Sequence, residues 1–245
     1  MRSVKLGILL LLKEYVFLIL LTYWMLNGRK VETKFLFANR GKSKSQIYQD
    51  LHMALYCTQV PNSSNFFVEF GATDGVSLSN SHFVETELGW KGILAEPGKS
   101  WLTRLRSNRN AFISDKCVWR MSGEQMEFID AVNPDLSGLE TTFTDFHKNR
   151  AGESERYVVE TVSLNDLLGQ HNAPKSISFL SIDTEGSELE ILRALDFETW
   201  QFDMIVCEHN FQKSRKEIKT LLLSHGYRRH LAVASIWDDW YIRKI

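Results

Sequence analysis

Phe66-Phe67-Val68-Glu69-Phe70-Gly71-Ala72-Thr73-Asp74-Gly75 is the stretch that decides the fold. Four apolar residues and one acid run straight into a turn of small residues. An apolar run this short, closed by glycine, reads as a buried strand. Gly71 and Gly75 let the backbone turn tightly and approach a ligand closely. Outward from this point the pattern repeats. Runs at 92–96, 111–119, 157–162, 176–182 and 203–207 read as strands, and helical segments at 79–88, 101–105, 163–168, 187–195 and 214–225 alternate with them. Near-continuous apolar strands separated by helices predict an α/β fold, a parallel sheet with helices on both faces. The last two strands, 227–234 and 240–243, have no helix between them, so an antiparallel C-terminal edge is expected. A helix is also expected from Ser45, with Ser45 as its N-cap. A strand near 126–129 opens a long irregular insertion, 122–160, which includes Asn133-Pro134-Asp135 and Ala151-Gly152.

Ligands of open α/β sheets bind beyond the carboxyl ends of the strands. The residues just after each strand therefore carry the functional reading. The first turn offers Glu69, Gly71, Ala72, Asp74 and Gly75. It lacks G-x-G-x-x-G, which removes the dinucleotide cradle and disfavours an NAD-dependent oxidoreductase. Its acids suit a positively charged ligand instead. Glu96-Pro97 ends the second strand, 25 residues past Gly71. A carboxylate there can accept both hydroxyls of a ribose. Asp183-Thr184-Glu185-Gly186-Ser187-Glu188 follows the strand at 176–182. Asp183 stands at the strand's mouth, while Ser187 and Glu188 can cap the next helix. Glu208-His209-Asn210 follows 203–207, and a histidine at such a place can act as a general base near neutral pH.

As an ordered set these motifs resemble the FkbM family of S-adenosylmethionine-dependent methyltransferases. The matching pieces are the first strand and turn, Phe67 to Gly75; Leu78-Ser79-Asn80-Ser81; Gly89-Trp90-Lys91-Gly92-Ile93-Leu94-Ala95-Glu96-Pro97; Val162-Ser163-Leu164-Asn165-Asp166-Leu167-Leu168; and the strand end and helix from Ile182 to Leu192. The resemblance implies a Rossmann-like class I methyltransferase with a mostly parallel seven-stranded sheet. It implies methyl transfer to an oxygen, often a sugar hydroxyl on a glycan or natural product. Glu69, Gly71, Asp74 and Gly75, with Ala72 in the same turn, would line the methionine side of the cofactor. Glu96, with Pro97 beside it, would face the ribose, and Asn80 would stand near the cofactor. An in-line transfer needs the acceptor oxygen about 3 Å from the methyl group. A base helps, and His209 and Asp183 are the candidates. A Mg²⁺ held by Asp183, Glu185 and Glu208 with waters is the less favoured alternative. The alternative function is a non-catalytic, membrane-associated trafficking or interaction protein on the same fold.

Composition sets wider bounds. The 245 residues are 44% hydrophobic with a formal net charge of −1, which suits one domain plus an extension and lacks the basic excess of a nucleic-acid binder. Cys57, Cys117 and Cys207 are scattered without zinc-ligand spacing and read as buried free thiols. Residues 4–26 are the most apolar stretch, interrupted by Lys13 and Glu14. They are long enough to span a bilayer, which takes about 20 residues. Three readings stand: a membrane anchor or in-plane helix, a helix packed on the domain or a partner subunit, and a cleaved signal peptide. The last lacks a small-residue cleavage site, since Tyr23-Trp24-Met25-Leu26 ends the stretch. Arg29, Lys30, Lys34, Arg40, Lys42 and Lys44 follow, so a spanning segment would leave the main domain on the cytoplasmic face. A helix packed on protein would leave it simply cytoplasmic. Residues 27–44 read as a basic linker, and 45–245 as the methyltransferase-like domain.

Overall fold

The computed structural model describes residues 2–131, 136–143 and 154–244, with side chains from Gly7 onward. Asn133-Pro134-Asp135 and Ala151-Gly152 lie outside the described residues. In chain order the strands are β1 (Phe66–Phe70), β2 (Lys91–Ala95), β3 (Phe112–Ser114), β4 (Cys117–Trp119), β5 (Gln125–Ala131), β6 (Gly138–Leu139), β7 (Ser154–Ser163), β8 (Ser176–Ile182), β9 (Gln201–Glu208), β10 (Tyr227–His230) and β11 (Asp238–Arg243). The α-helices are α1 (Arg2–Leu26), α2 (Lys30–Asn39), α3 (Gln49–Cys57), α4 (His82–Leu88), α5 (Lys99–Asn108), α6 (Leu164–Gln170), α7 (Glu188–Ala194) and α8 (Ser214–Ser224).

Seven strands form one sheet in the order β10-β11-β9-β8-β1-β2-β3. The pairs from β9 to β3 are parallel. β11 runs antiparallel between β9 and β10, so the final hairpin is closed by inserting its second strand rather than by adding it outside. Alternation along β1 sends Phe67 to one face and Phe66, Val68 and Phe70 to the other. Each face is covered. One core takes α1 to α5, through residues such as Leu20, Leu51, Phe83 and Leu105. The other takes α6 to α8, through Leu167, Ile191 and Leu222.

The stretch 111–119, expected as one strand, divides at Asp115-Lys116. β3 stays in the main sheet, and β4 enters a second, four-stranded sheet of order β4-β7-β5-β6. Val118 and Val162 of this sheet still face the main core. Cys117, Trp119, Phe128, Leu139 and Val159 make a smaller core of their own.

The N-terminal elements also depart from expectation. The helix predicted from Ser45 begins at Gln49. Ser45 is instead bridged to Leu78 and donates its hydroxyl to Asp50 Oδ1 at 2.7 Å. The stretch read as a linker is largely helical, and Leu36 of α2 is buried. α1 lies against the domain through Val16, Phe17, Leu20, Leu21 and Trp24. Its Tyr23 and Trp24 rings pack on His52, and Tyr23 also packs on His230. The three cysteines are buried and free.

Candidate active site

A cavity of about 270 Å³ opens at the carboxyl ends of β1, β2, β8 and β9. Among the residues expected from sequence, Glu69, Gly71, Asn80, Glu96, Pro97 and Asp183 line it. Glu185 and Glu208, considered there only as metal ligands, line it too.

The β1 turn is built by close backbone approach. Gly71 has φ +70, and a Cβ there would fall 2.0 Å from the Asp183 carbonyl oxygen. No side chain fits between β1 and β8 at this point. The Glu69 carboxylate accepts hydrogen bonds from Ser79 Oγ, Asn80 N and Ser81 Oγ, which ties the 79–81 segment to the strand end. Arg109 completes the support. Its buried guanidinium pairs with Glu85 at 2.6 Å, lies 3.8 Å from Glu69 and donates to Gly75 O at 2.9 Å.

Glu96 spans two loops. Its carboxylate accepts from Thr73 N at 2.8 Å and from Gly98 N at 2.7 Å. Burial pushes its pKa up to about 7, against the pull of those two N–H groups, with Asp130 adding to the rise. The second sheet is fastened beside it: Lys99 N donates to the Tyr157 hydroxyl, which donates to Asp130 Oδ2 at 2.9 Å.

Across the cavity stand Asp183, Glu185 and Glu208, whose carboxylate oxygens come within 4.8 Å of one another. Burial holds the Asp183 carboxyl well above the ordinary range, and Glu185 and Asp238 raise it further. A hydrogen bond from Glu208 acts the other way. Glu208 is likewise held high, by burial first and then by Asp183 and Glu185. Three acids this close cannot all stay ionised without a cation or a shared proton. Asn210 Nδ2 donates to Glu185 at 3.4 Å. Glu188 is spent on the loop, accepting from Thr184 N, Thr184 Oγ1 and Gly186 N. Asp238, at the start of β11, accepts from Gln49 Nε2 at 2.7 Å and is raised to about 6, chiefly by burial.

Four residues predicted for the site do not line the cavity. Asp74 accepts from Val76 N, Ser77 N and Ser77 Oγ, so its carboxylate shapes the turn. Ala72 is buried in the core shared with α1 to α5. Gly75 is pressed against Arg109 and Leu105, where a Cβ would meet side-chain carbons at 2.6 and 2.7 Å. His209 faces away: Glu208 and Asn210 line the cavity, and the residue between them does not. Its Nδ1 accepts from Phe211 N at 3.0 Å, which leaves the ring proton on Nε2, 3.6 Å from Asp239. Burial lowers its pKa to about 4; Asp239 opposes the drop, and Arg215 and Arg229 add to it. The structure thus places His209 outside the cavity lining, not at the strand mouth where the sequence suggested a base.

Other lining residues had no signal in the sequence. Gln46, Gln49, Trp237 and Asp238 arrive from both ends of the chain, Trp101 from α5, Phe128 and Leu139 from the second sheet, and Leu136 from just before β6.

Comparison with known proteins follows the same lines. A family model described as the Methyltransferase FkbM domain matches residues 69–229. A Beauveria bassiana (strain ARSEF 2860) protein named Methyltransferase 1 is 37% identical over 90 residues, 36% of this chain and 34% of that protein. The matched part thus spans about a third of that curated relative's length. Among solved structures, a precorrin-6y C5,15-methyltransferase from Geobacter metallireducens GS-15 aligns with TM-score 0.37 and 12% identity over 78% of this chain and 86% of that one. A ribosomal protein L11 methylase from Lactobacillus delbrueckii subsp. bulgaricus aligns with TM-score 0.37 and 10% identity over 81% and 80%.

Proposed function

Because the chain belongs to the FkbM methyltransferase domain family, we propose that it transfers the methyl group of S-adenosylmethionine to a hydroxyl oxygen of a sugar, glycan or related metabolite. One observation carries this reading: Glu69, Glu96, Asp183 and Glu208, far apart in sequence, converge on one cavity at the strand ends. An acidic, largely buried cavity suits a ligand with a sulfonium and an ammonium group.

S-adenosylmethionine supplies an electrophilic methyl carbon when bound. The residues present fit it. Glu96, fixed by two backbone N–H groups, keeps further lone pairs for ribose hydroxyls. Gly71, Asn80 and Glu69 line the side where the methionine part would lie. The Asn80 side-chain oxygen is buried without a protein partner and so remains available to a donor. Asp183 and Glu208 take the base role. With one proton held between them, the pair keeps one ionised carboxylate that can accept the acceptor's hydroxyl proton. Asp183, Glu185 and Glu208 also fit a divalent cation such as Mg²⁺, which would lower the pKa of a bound hydroxyl.

Calorimetry with S-adenosylmethionine tests the reading. Saturable binding that weakens in Glu96→Gln supports it, and absence of binding heat returns the chain to the non-catalytic alternative. Labelled cofactor incubated with glycan and metabolite fractions then identifies the class that takes up the methyl group.

A further inference from the structure

The charge of this chain is split along its length. Residues 1–44 hold nine Lys or Arg and two Asp or Glu, which leaves 20 and 28 for residues 45–245. A nearly neutral protein is therefore a basic arm on an acidic domain. Folding puts apolar surface on the same arm. One face of α1 is buried against the domain, while Ile8, Leu11, Tyr15, Leu18 and Met25 are each more than half exposed. Together with Thr22 they recur every three or four residues and form one outward stripe. Thr22 falls in this stripe, and its hydroxyl is bonded back to Leu18 O at 2.8 Å. The helix's two mid-length charges have protein partners: Lys13 Nζ donates to Ser45 O at 2.6 Å, and Glu14 pairs with Arg40. α2 adds exposed Val31 and Phe37 among exposed Lys30 and Lys34.

We propose that α1 and α2 together form a docking surface for an anionic lipid bilayer, with α1 lying in the membrane plane rather than crossing it. Crossing would need hydrocarbon around about 20 residues of helix. From Val16 to Trp24 the inward face of α1 is already occupied by the domain. An apolar stripe bordered by lysines is the composition of an interfacial helix. The lysines draw the arm to anionic headgroups, and the acidic remainder of the chain is repelled by them, which fixes the orientation.

Flotation of the full chain with vesicles is the test. The protein should float with phosphatidylcholine vesicles containing about a third phosphatidylserine, and salt should weaken the binding. Leu11→Glu with Leu18→Glu should reduce partition at least about tenfold, with an unchanged melting temperature because both side chains face away from the domain. Lys30→Glu with Lys34→Glu should remove the preference for phosphatidylserine over phosphatidylcholine alone. A tag at the N-terminus of protein bound to the outside of vesicles should stay open to protease. Failure to float, wild-type partition of the double glutamate variant, or protection of the tag by a spanning helix would each overturn the proposal. So would a solution dimer dissolved by those glutamates, because the stripe would then be covered by a second copy.

Discussion

The two sides of the cavity treat their acids in opposite ways. On the β1–β2 side each carboxylate is held by donors: Glu69 by Ser79, Asn80 and Ser81, and Glu96 by Thr73 and Gly98. On the β8–β9 side Asp183 and Glu208 face each other and Glu185, with carboxylate oxygens within 4.8 Å of one another. A carboxylate fixed by N–H and O–H donors has a defined position and is suited to recognition. Carboxylates that press on one another share a proton and are suited to exchanging it. One rim fixes its acids with donors, and the other, proposed above for proton transfer, leaves them facing one another.

Substitutions can break or sharpen that division. The largest effect is expected for Asp183→Asn, which should reduce kcat by about 10²- to 10⁴-fold and leave S-adenosylmethionine affinity little changed. A loss confined to affinity would merge the two rims into one binding surface. Gly71→Ala should cost about 2–3 kcal/mol in denaturant unfolding, since its Cβ would overlap the Asp183 carbonyl. Unchanged stability would mean that the junction of the rims yields. Glu96→Gln should weaken cofactor binding by about 10- to 100-fold in calorimetry, with kcat at saturation near the parent value. An amide nitrogen there would face a backbone N–H that now donates to the carboxylate.

The pH dependence is subtler. With the Asp183–Glu208 pair as the proposed base, the rate should fall as pH drops and the last ionised carboxylate of the pair takes up a proton, an acid limb that burial shifts upward. Glu185 raises both acids, so Glu185→Gln should move this acid limb to lower pH in a pH–rate profile. The smallest effect is expected for His209→Ala, which should leave turnover nearly unchanged. A collapse would restore the imidazole as base and divide the rims differently.

The acids at the strand ends were readable because each follows an apolar run, and a parallel sheet delivers such positions to one edge. Glu69, Glu96 and Asp183 reach the cavity for that reason. Asp74, Gly75 and Ala72 stand in the same turn but are used in making it, and which residues of a tight turn face a ligand depends on backbone angles that composition does not encode. His209 shows the limit of position along the chain. One residue past β9, it falls on the opposite side from Glu208. Arg109, Gln49 and Asp238 were unreadable because their partners lie 24 to 189 residues away. The break at Asp115-Lys116 carries no signal because the runs on either side of it are both short and both strand-like.

The four-stranded sheet leaves the main fold after β3 and rejoins it before α6, and it carries a hydrophobic centre of its own. Phe128 and Leu139 reach the cavity from this sheet, whereas Glu69, Glu96, Asp183 and Glu208 come from the other. Substitutions on the smaller sheet can therefore reshape one wall of the cavity without touching the acids that the larger sheet supplies.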